Sequence, residues 1–200
     1  MSTADVKCTA GRVLLLAMFL LLSTFEVFLA VVMAIVAHEL GHFLMIRLFG
    51  GRFKKISISR LGLEMQTSGR LTYGQELLAL LAGPLSNMAL FFLFGLIGHL
   101  ADVFYLFGGA QLLLGAFNLL PICGLDGSSI LWIITALLTQ PDTADDVTGK
   151  VSLGFSATLV AFAGFLVCRQ HGGVFLLWTA LGLFFGGIRR LGLVKRRGKR

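Results

Sequence analysis

The sequence predicts an all-α, polytopic membrane protein with about six transmembrane helices and one small membrane-associated β-hairpin. Of its 200 residues, 56% are hydrophobic and only 14% are charged, whereas roughly a quarter of the residues in a soluble domain are charged. Because a bilayer-spanning helix takes about 20 residues, this length allows about six spans and no second domain of typical size. Residues 1–190 therefore form one predicted membrane-embedded domain, followed by a basic tail at 191–200.

The first apolar run, at 13–22, follows Lys7 and Arg12 as the core of a signal peptide would. No small-x-small cleavage site comes after it, so we interpret it as a first span or half-span. The other spans are predicted at 27–49, 76–100, 103–138, 151–167 and 174–188.

The fourth of these segments is too long for one helix, and Pro121, Gly124 and Gly127 interrupt it. Inside a membrane such a break is tolerated only where the freed backbone groups meet protein or water. We therefore expect a functional turn in this segment.

Between the second and third spans, apolar side chains recur with period two from Ile56 to Met65, around Arg60 and Gly62. This alternation predicts a short β-hairpin over Lys54 to Gln66. One hypothesis is that an edge of the hairpin pairs with an extended peptide. The alternative is a loop that only covers the membrane domain.

The basic residues indicate how the spans are oriented. With six spans, sixteen of the seventeen Lys and Arg residues fall on one side, and only Arg169 falls on the other. By the positive-inside rule this side is cytoplasmic and carries both termini. The asymmetry explains the net charge of +7 without nucleic acid, and the basic tail is interpreted as an anchor for anionic lipid.

The sequence His38-Glu39-Leu40-Gly41-His42 lies inside the second apolar segment. Ionisable residues at this depth are costly and call for a function. Positions four apart on a helix lie on one face, so His38 and His42 can bind the same metal ion. Two such histidines with an adjacent glutamate are the arrangement of zinc hydrolases, in which Glu39 would be the general base. The alternative is a pair of histidines that only bond to neighbouring helices.

A catalytic zinc ion usually has three protein ligands and one water. Besides Glu39, Asp126 is the acidic residue that lies within the apolar part of the chain rather than near a span end or in a polar loop. After Pro121 and Gly124 it is expected at the start of a new half-helix, whose dipole favours a carboxylate. Asp126 is therefore the candidate third ligand, and simple N-capping of that half-helix is the alternative.

The three cysteines, Cys8, Cys123 and Cys168, form no CxxC pair. They indicate neither a structural zinc cluster nor a disulfide-stapled scaffold. We therefore expect them to stay reduced.

Together these motifs resemble those of the site-2 protease family of intramembrane zinc metalloproteases. The resemblance covers roughly residues 27–138 and rests on three blocks: His38 to His42, Ala82 to Asn87, and Asn118 with Pro121, Asp126 and Gly127. The short form, with one hairpin and no inserted domain, is most similar to the bacterial sporulation subgroup. Two positions depart from the pattern, since Gly124 and Ser128 stand where the family often has proline and glycine.

This resemblance implies one zinc ion per chain bound by His38, His42 and Asp126, with Glu39 as the catalytic base and Asn118 near the bound substrate. It implies hydrolysis of a peptide bond in or near a membrane segment of a membrane-tethered protein. A sporulation sigma-factor precursor as substrate and a regulatory membrane protein as partner are also implied. The enzyme would lie in a bacterial cell membrane and be open to the cytoplasm.

Two other classes of function stay open from the residues alone. A metal or proton transporter also places histidines and acids in its spans, although it needs polar groups along a complete path. A proteolytically inactive membrane scaffold has no use for Glu39, so that residue discriminates between the classes.

Overall fold

A computed structural model describes the backbone of residues 24–59, 62–68, 71–170 and 174–197, and the side chains of residues 24–51, 71–169 and 176–188. The predicted first segment at 13–22 lies outside the described residues. Six α-helices and two strands follow one another along the described chain. They are α1 (Phe25–Leu48), β1 (Arg52–Ser59), β2 (Gly62–Ser68), α2 (Tyr73–Ile97), α3 (Asp102–Asn118), α4 (Asp126–Leu138), α5 (Pro141–Gln170) and α6 (Val174–Arg197).

Helix α1 has clear signals at both ends. The Thr24 hydroxyl accepts a hydrogen bond from the Val27 N–H at 3.4 Å, as an N-cap does. At the other end the chain leaves the helix through Gly50, whose φ of +73° favours glycine. The Gly50 and Gly51 N–H groups donate to the carbonyls of Arg47 and Ile46 and so satisfy the last turn.

Strands β1 and β2 form an antiparallel pair at the position of the predicted hairpin. Their register runs from Arg52 opposite Ser68 to Ser59 opposite Gly62, with one irregularity between Phe53 and Lys55. Association of this pair with the membrane stays a prediction.

Three helical segments are long and apolar enough to cross a membrane: Phe25–Leu48, Tyr73–Leu100 and Pro141–Arg169. Two shorter apolar helices are Asp126–Leu138 and Leu176–Ile188. Large apolar side chains such as Val36, Leu44 and Leu96 are exposed on these helices, as expected for contact with lipid. The chain is therefore an integral membrane protein, while the number of six spans stays a prediction.

Helix α5 is longer than the predicted fifth span. It begins at Pro141 and includes the polar residues up to Lys150 before its apolar part. Proline suits the first turn of a helix, and Asp142 in that turn complements the helix dipole. The polar stretch therefore continues the helix rather than separating two elements.

The chain divides into two compact units. The first contains α1, the hairpin and residues Ala82–Ala116, and the second contains Leu71–Leu81 and the chain from Phe117 onward. In the first unit Phe94 packs against Phe104 and Phe107, with ring centroids 6.2 and 5.7 Å away.

In the second unit, α5 packs against α4 and against α6 through small or apolar side chains. The Trp132 Nε1–H of α4 donates to the Asp145 carboxylate of α5 at 2.8 Å. Its ring also meets Tyr73, with the centroids 6.1 Å apart.

Candidate metal centre

The two histidines of α1 face each other as the four-residue spacing predicts. The His38 and His42 Nε2 atoms are 3.2 Å apart, and the two rings meet edge to face with centroids 4.7 Å apart. A tetrahedral zinc ion with Zn–N bonds of about 2.0–2.1 Å places two nitrogen ligands roughly 3.3 Å apart. The pair thus has the separation that one zinc ion requires of two imidazole ligands.

A buried asparagine of α2 holds the first of these rings. Asn87 is fully buried, and its Oδ1 lies 2.9 Å from the His38 Nδ1. His38 is itself 5% exposed, so its ring is enclosed by protein on the side away from His42. A second group bonded to the other ring nitrogen is the usual way in which proteins orient a metal-binding histidine.

The second ring passes directly over a glycine of α2. A Cβ atom at Gly83 would meet the Nε2, Cε1 and Cδ2 atoms of His42. Gly41 of α1 lets the backbones of α1 and α2 approach closely, because a Cβ there would lie 2.5 Å from the Ala82 carbonyl oxygen. The small residues of α1 and α2 therefore allow the close approach that places His42.

Ser86 adds a bond between the same two helices. Its hydroxyl lies 2.8 Å from the Ala37 carbonyl oxygen in α1 and 2.7 Å from the Gly83 carbonyl oxygen in its own helix. This contact reaches the backbone of α1 and no histidine ring.

Glu39 follows His38 on α1 and is half-buried. Successive residues of an α-helix are rotated by about 100°, so its side chain leaves the helix in a different direction from the two histidines. A base that acts on a metal-bound water must lie beside the ligands rather than among them. The position of Glu39 on the helix suits that role, which stays a prediction.

Asp126, in the second unit, is the first residue of α4, as predicted from the helix break. The N-cap position belongs to Leu125, which makes no side-chain capping hydrogen bond. Asp126 stays the predicted third ligand. At the N-terminus of α4 the helix dipole favours an ionised carboxylate, the form that binds a metal.

The segment before Asp126 is held by backbone contacts. Gly124 has a φ of +97°, which the proline expected from the family resemblance cannot adopt. A Cβ at Gly127 would meet the carbonyl groups of Leu119 and Leu120. The buried Cys123 N–H donates to the Ser152 hydroxyl of α5 at 2.5 Å, which joins this segment to a long helix.

Asn118, the predicted substrate contact, is the last residue of α3 and is half-buried. It therefore ends its helix just before the turn that leads to Asp126.

Among the other histidines, His99 is exposed, and its Nδ1 lies 2.9 Å from the Leu96 carbonyl oxygen. This contact is local to the end of the helical segment Tyr73–Leu100.

Asn87 and Gly83 belong to the second block of the resemblance, Ala82 to Asn87, and the sequence predicts no role for either residue. A signal was available, because an asparagine in the middle of an apolar helix must find polar partners. Which partners it finds depends on packing between helices, so the sequence alone did not identify His38.

No family model matches the chain. Over 175 residues it is 27% identical to Stage IV sporulation protein FB of Bacillus subtilis (strain 168), and the match covers 84% of this chain and 61% of that protein. The chain thus spans about three fifths of the length of this relative.

Among solved structures it is similar to the site-2 protease from Methanocaldococcus jannaschii, with a TM-score of 0.69 and 21% identity. That similarity covers 92% of this chain and 88% of the other. At this identity the likeness shows the fold. Together the two comparisons confirm the resemblance to site-2 proteases, and to the sporulation subgroup, that the motifs indicated.

Proposed function

We propose that this chain is an intramembrane zinc metalloprotease that hydrolyses a peptide bond in or near a membrane segment of a membrane-tethered protein. The observation that carries the proposal is the histidine pair of α1, with Nε2 atoms 3.2 Å apart, in an apolar helix that also carries Glu39. Neither a lipid-facing helix nor a packing helix has a reason to keep these three residues together.

His38, His42 and Asp126 are the proposed ligands of one zinc ion per chain. The two histidines supply two nitrogen atoms at the separation that one zinc ion requires, and the resemblance to site-2 proteases supports Asp126 as the third ligand. Two imidazoles and one carboxylate are a common ligand set of catalytic zinc and leave one position for water or substrate. When bound by these residues, zinc would supply Lewis-acid chemistry to a water molecule and to the substrate carbonyl.

Glu39 is the proposed general base. Its carboxylate takes a proton from the attacking water and later delivers it to the leaving amine nitrogen. Asn118 is the proposed polar contact to the bound substrate. From the span ends, the histidines lie roughly 8 to 13 Å below the cytoplasmic surface, at about 1.5 Å per residue, so water and substrate would enter from that side.

A helical substrate must be extended before cleavage, because its scissile carbonyl is engaged in the helix. In the described chain the sheet has two strands, β1 and β2, and its edge is the proposed partner of the extended substrate. Proline at Ile56 or Ile58 would remove a backbone donor from β1 and lower cleavage. Unchanged cleavage in both variants would favour the covering loop.

The resemblance to a stage IV sporulation protein supports a more specific proposal. The substrate would be a sporulation sigma-factor precursor, and a membrane protein would regulate the enzyme. The chain would lie in a bacterial cell membrane with both termini in the cytoplasm. Co-expression with candidate membrane-tethered precursors, followed by detection of the released fragment, tests the substrate.

The decisive experiment compares purified wild-type protein with Glu39→Gln for zinc content and for cleavage of membrane-tethered reporters. About one zinc ion per chain in both proteins, with cleavage only by the wild type, is the expected result. Glu26→Gln is the matched control, because it makes the same change at an exposed position in the first turn of the same helix. Absence of zinc in the wild type would contradict the proposal.

The same variants separate the alternative classes. A metal transporter reconstituted in vesicles would move zinc across the bilayer, and a scaffold would keep its function in the Glu39→Gln variant. Zinc flux into vesicles without reporter cleavage would therefore favour transport.

A further inference from the structure

We propose that Asn87 is a positioning residue for the metal centre, because its buried carboxamide sets the tautomer and the orientation of His38. The inference rests on the proposed zinc site and adds a residue to it. All the contacts that carry it lie within the first compact unit.

The orientation of the Asn87 carboxamide follows from its partners. Its Nδ2 lies 3.1 Å from the Ala34 carbonyl oxygen of α1 and 2.8 Å from the Gln111 Oε1 of α3. Both partners accept hydrogen bonds, so the donor nitrogen must face them. The oxygen, Oδ1, then faces His38.

The tautomer of His38 follows in turn. An amide oxygen can only accept, so the His38 Nδ1 at 2.9 Å must carry the proton. The neutral ring then has its lone pair on Nε2, the atom that faces His42. This is the tautomer in which His38 can bind a metal through Nε2.

The two halves of the carboxamide thus have different tasks. The nitrogen joins α1, α2 and α3 through Ala34 and Gln111, which is a packing role. The oxygen lies within hydrogen-bond distance of the His38 Nδ1, which is a metal-centre role. Variants that remove one half or both can therefore separate positioning from packing.

The test measures zinc affinity of the full-length protein in detergent by competition with a chromogenic chelator, together with thermal stability of the metal-free protein. Asn87→Leu removes both halves and is expected to lower zinc affinity about 10- to 100-fold, as loss of an outer partner of a metal-binding histidine does. Asn87→Asp keeps an oxygen acceptor for His38, so its zinc affinity should stay near the wild-type value while its stability falls.

Gln111→Leu is the second packing variant, and Ser86→Ala is the matched control. Gln111→Leu removes one acceptor of the Asn87 Nδ2 but leaves Ala34 and the contact to His38, so stability should fall and zinc affinity should stay. Ser86→Ala removes a bond between α1 and α2 that reaches no histidine, and it should leave zinc affinity unchanged. These two variants and Asn87→Asp keep the test valid even if Asn87→Leu does not fold.

The inference is overturned if Asn87→Leu binds zinc as tightly as the wild type. It is also overturned if Asn87→Asp or Gln111→Leu loses zinc affinity in proportion to its lost stability, because Asn87 would then act through packing. Failure of the wild type to bind zinc would be a separate result, since it rejects the proposed function itself and the inference with it.

Discussion

The histidine pair and Asp126 are held in place by different physical means. His38 and His42 lie on one face of an uninterrupted helix. In α2, the Asn87 side chain contacts the His38 ring, and Gly83 leaves room for the His42 ring. Asp126 lies where a helix has been broken, and close backbone contacts hold the segment before it. Substitutions near the histidines should therefore affect metal binding first, and substitutions near Asp126 should affect folding first.

Of the substitutions that test this comparison, Gly127→Ala is expected to cause the largest loss of stability. The new Cβ would meet two backbone carbonyl groups, those of Leu119 and Leu120, which cannot rotate away as a side chain can. We expect a loss of about 3 kcal/mol in the free energy of unfolding, with loss of cleavage. Thermal unfolding in detergent measures it, and Gly154→Ala in α5, where a Cβ has no neighbour within 4 Å, is the control. Equal stability of both variants would contradict the role of Gly127.

Gly83→Ala should lower zinc affinity and leave stability nearly unchanged, in contrast to Gly127→Ala. Its Cβ would meet the His42 ring, which can rotate away, so stability should change little. The displaced ring no longer presents Nε2 to the metal, and zinc affinity should fall about 10- to 100-fold. Competition with a chelator measures the zinc affinity. The control is Gly95→Ala, which lies on the same helix and has no neighbour within 4 Å of its Cβ. A large loss of stability without a change in zinc affinity would remove the distinction between the two regions.

Ser152→Ala tests whether α5 holds the turn before Asp126. The variant removes the acceptor of the buried Cys123 N–H, which should lower the free energy of unfolding by about 1–3 kcal/mol. Ser156→Ala is the control, because that buried hydroxyl bonds to the Leu153 carbonyl within its own helix. Chemical denaturation should show a smaller loss in Ser156→Ala, and an equal loss would count against the anchor.

Among the substitutions near Asp126, Gly124→Ala should cause the smallest loss of stability. The φ of +97° at this position strains any residue with a Cβ, and the expected loss of stability is about 1–2 kcal/mol. Thermal unfolding measures this loss. Gly164→Ala, at a helical position with no neighbour within 4 Å of its Cβ, is the control for a glycine-to-alanine change without backbone strain. A variant as stable as the control would show that the turn relaxes to another conformation.

The contrast also explains what the sequence could predict. Helical periodicity placed His38 and His42 on one face, and Pro121 with the glycines placed Asp126 at the start of a half-helix. Both are local effects within a few residues of the chain. The Asn87 contact to His38 joins positions 49 apart, and it depends on how two helices pack, which no local pattern reports. The early start of α5 is not predicted by hydropathy, because the first turns of the helix are rich in polar residues.

Helix α5 has one further consequence. Its 30 residues extend about 45 Å at 1.5 Å per residue, whereas the hydrocarbon core of a bilayer is about 30 Å thick. The excess lies at the charged end, where Asp145 bonds to Trp132 of α4. Asp126 lies six residues, or about 9 Å, along α4 from that tryptophan. The level at which the lipid headgroups meet α5 therefore sets the depth of Asp126, so membrane thickness becomes a physical variable that acts on the position of the proposed third ligand.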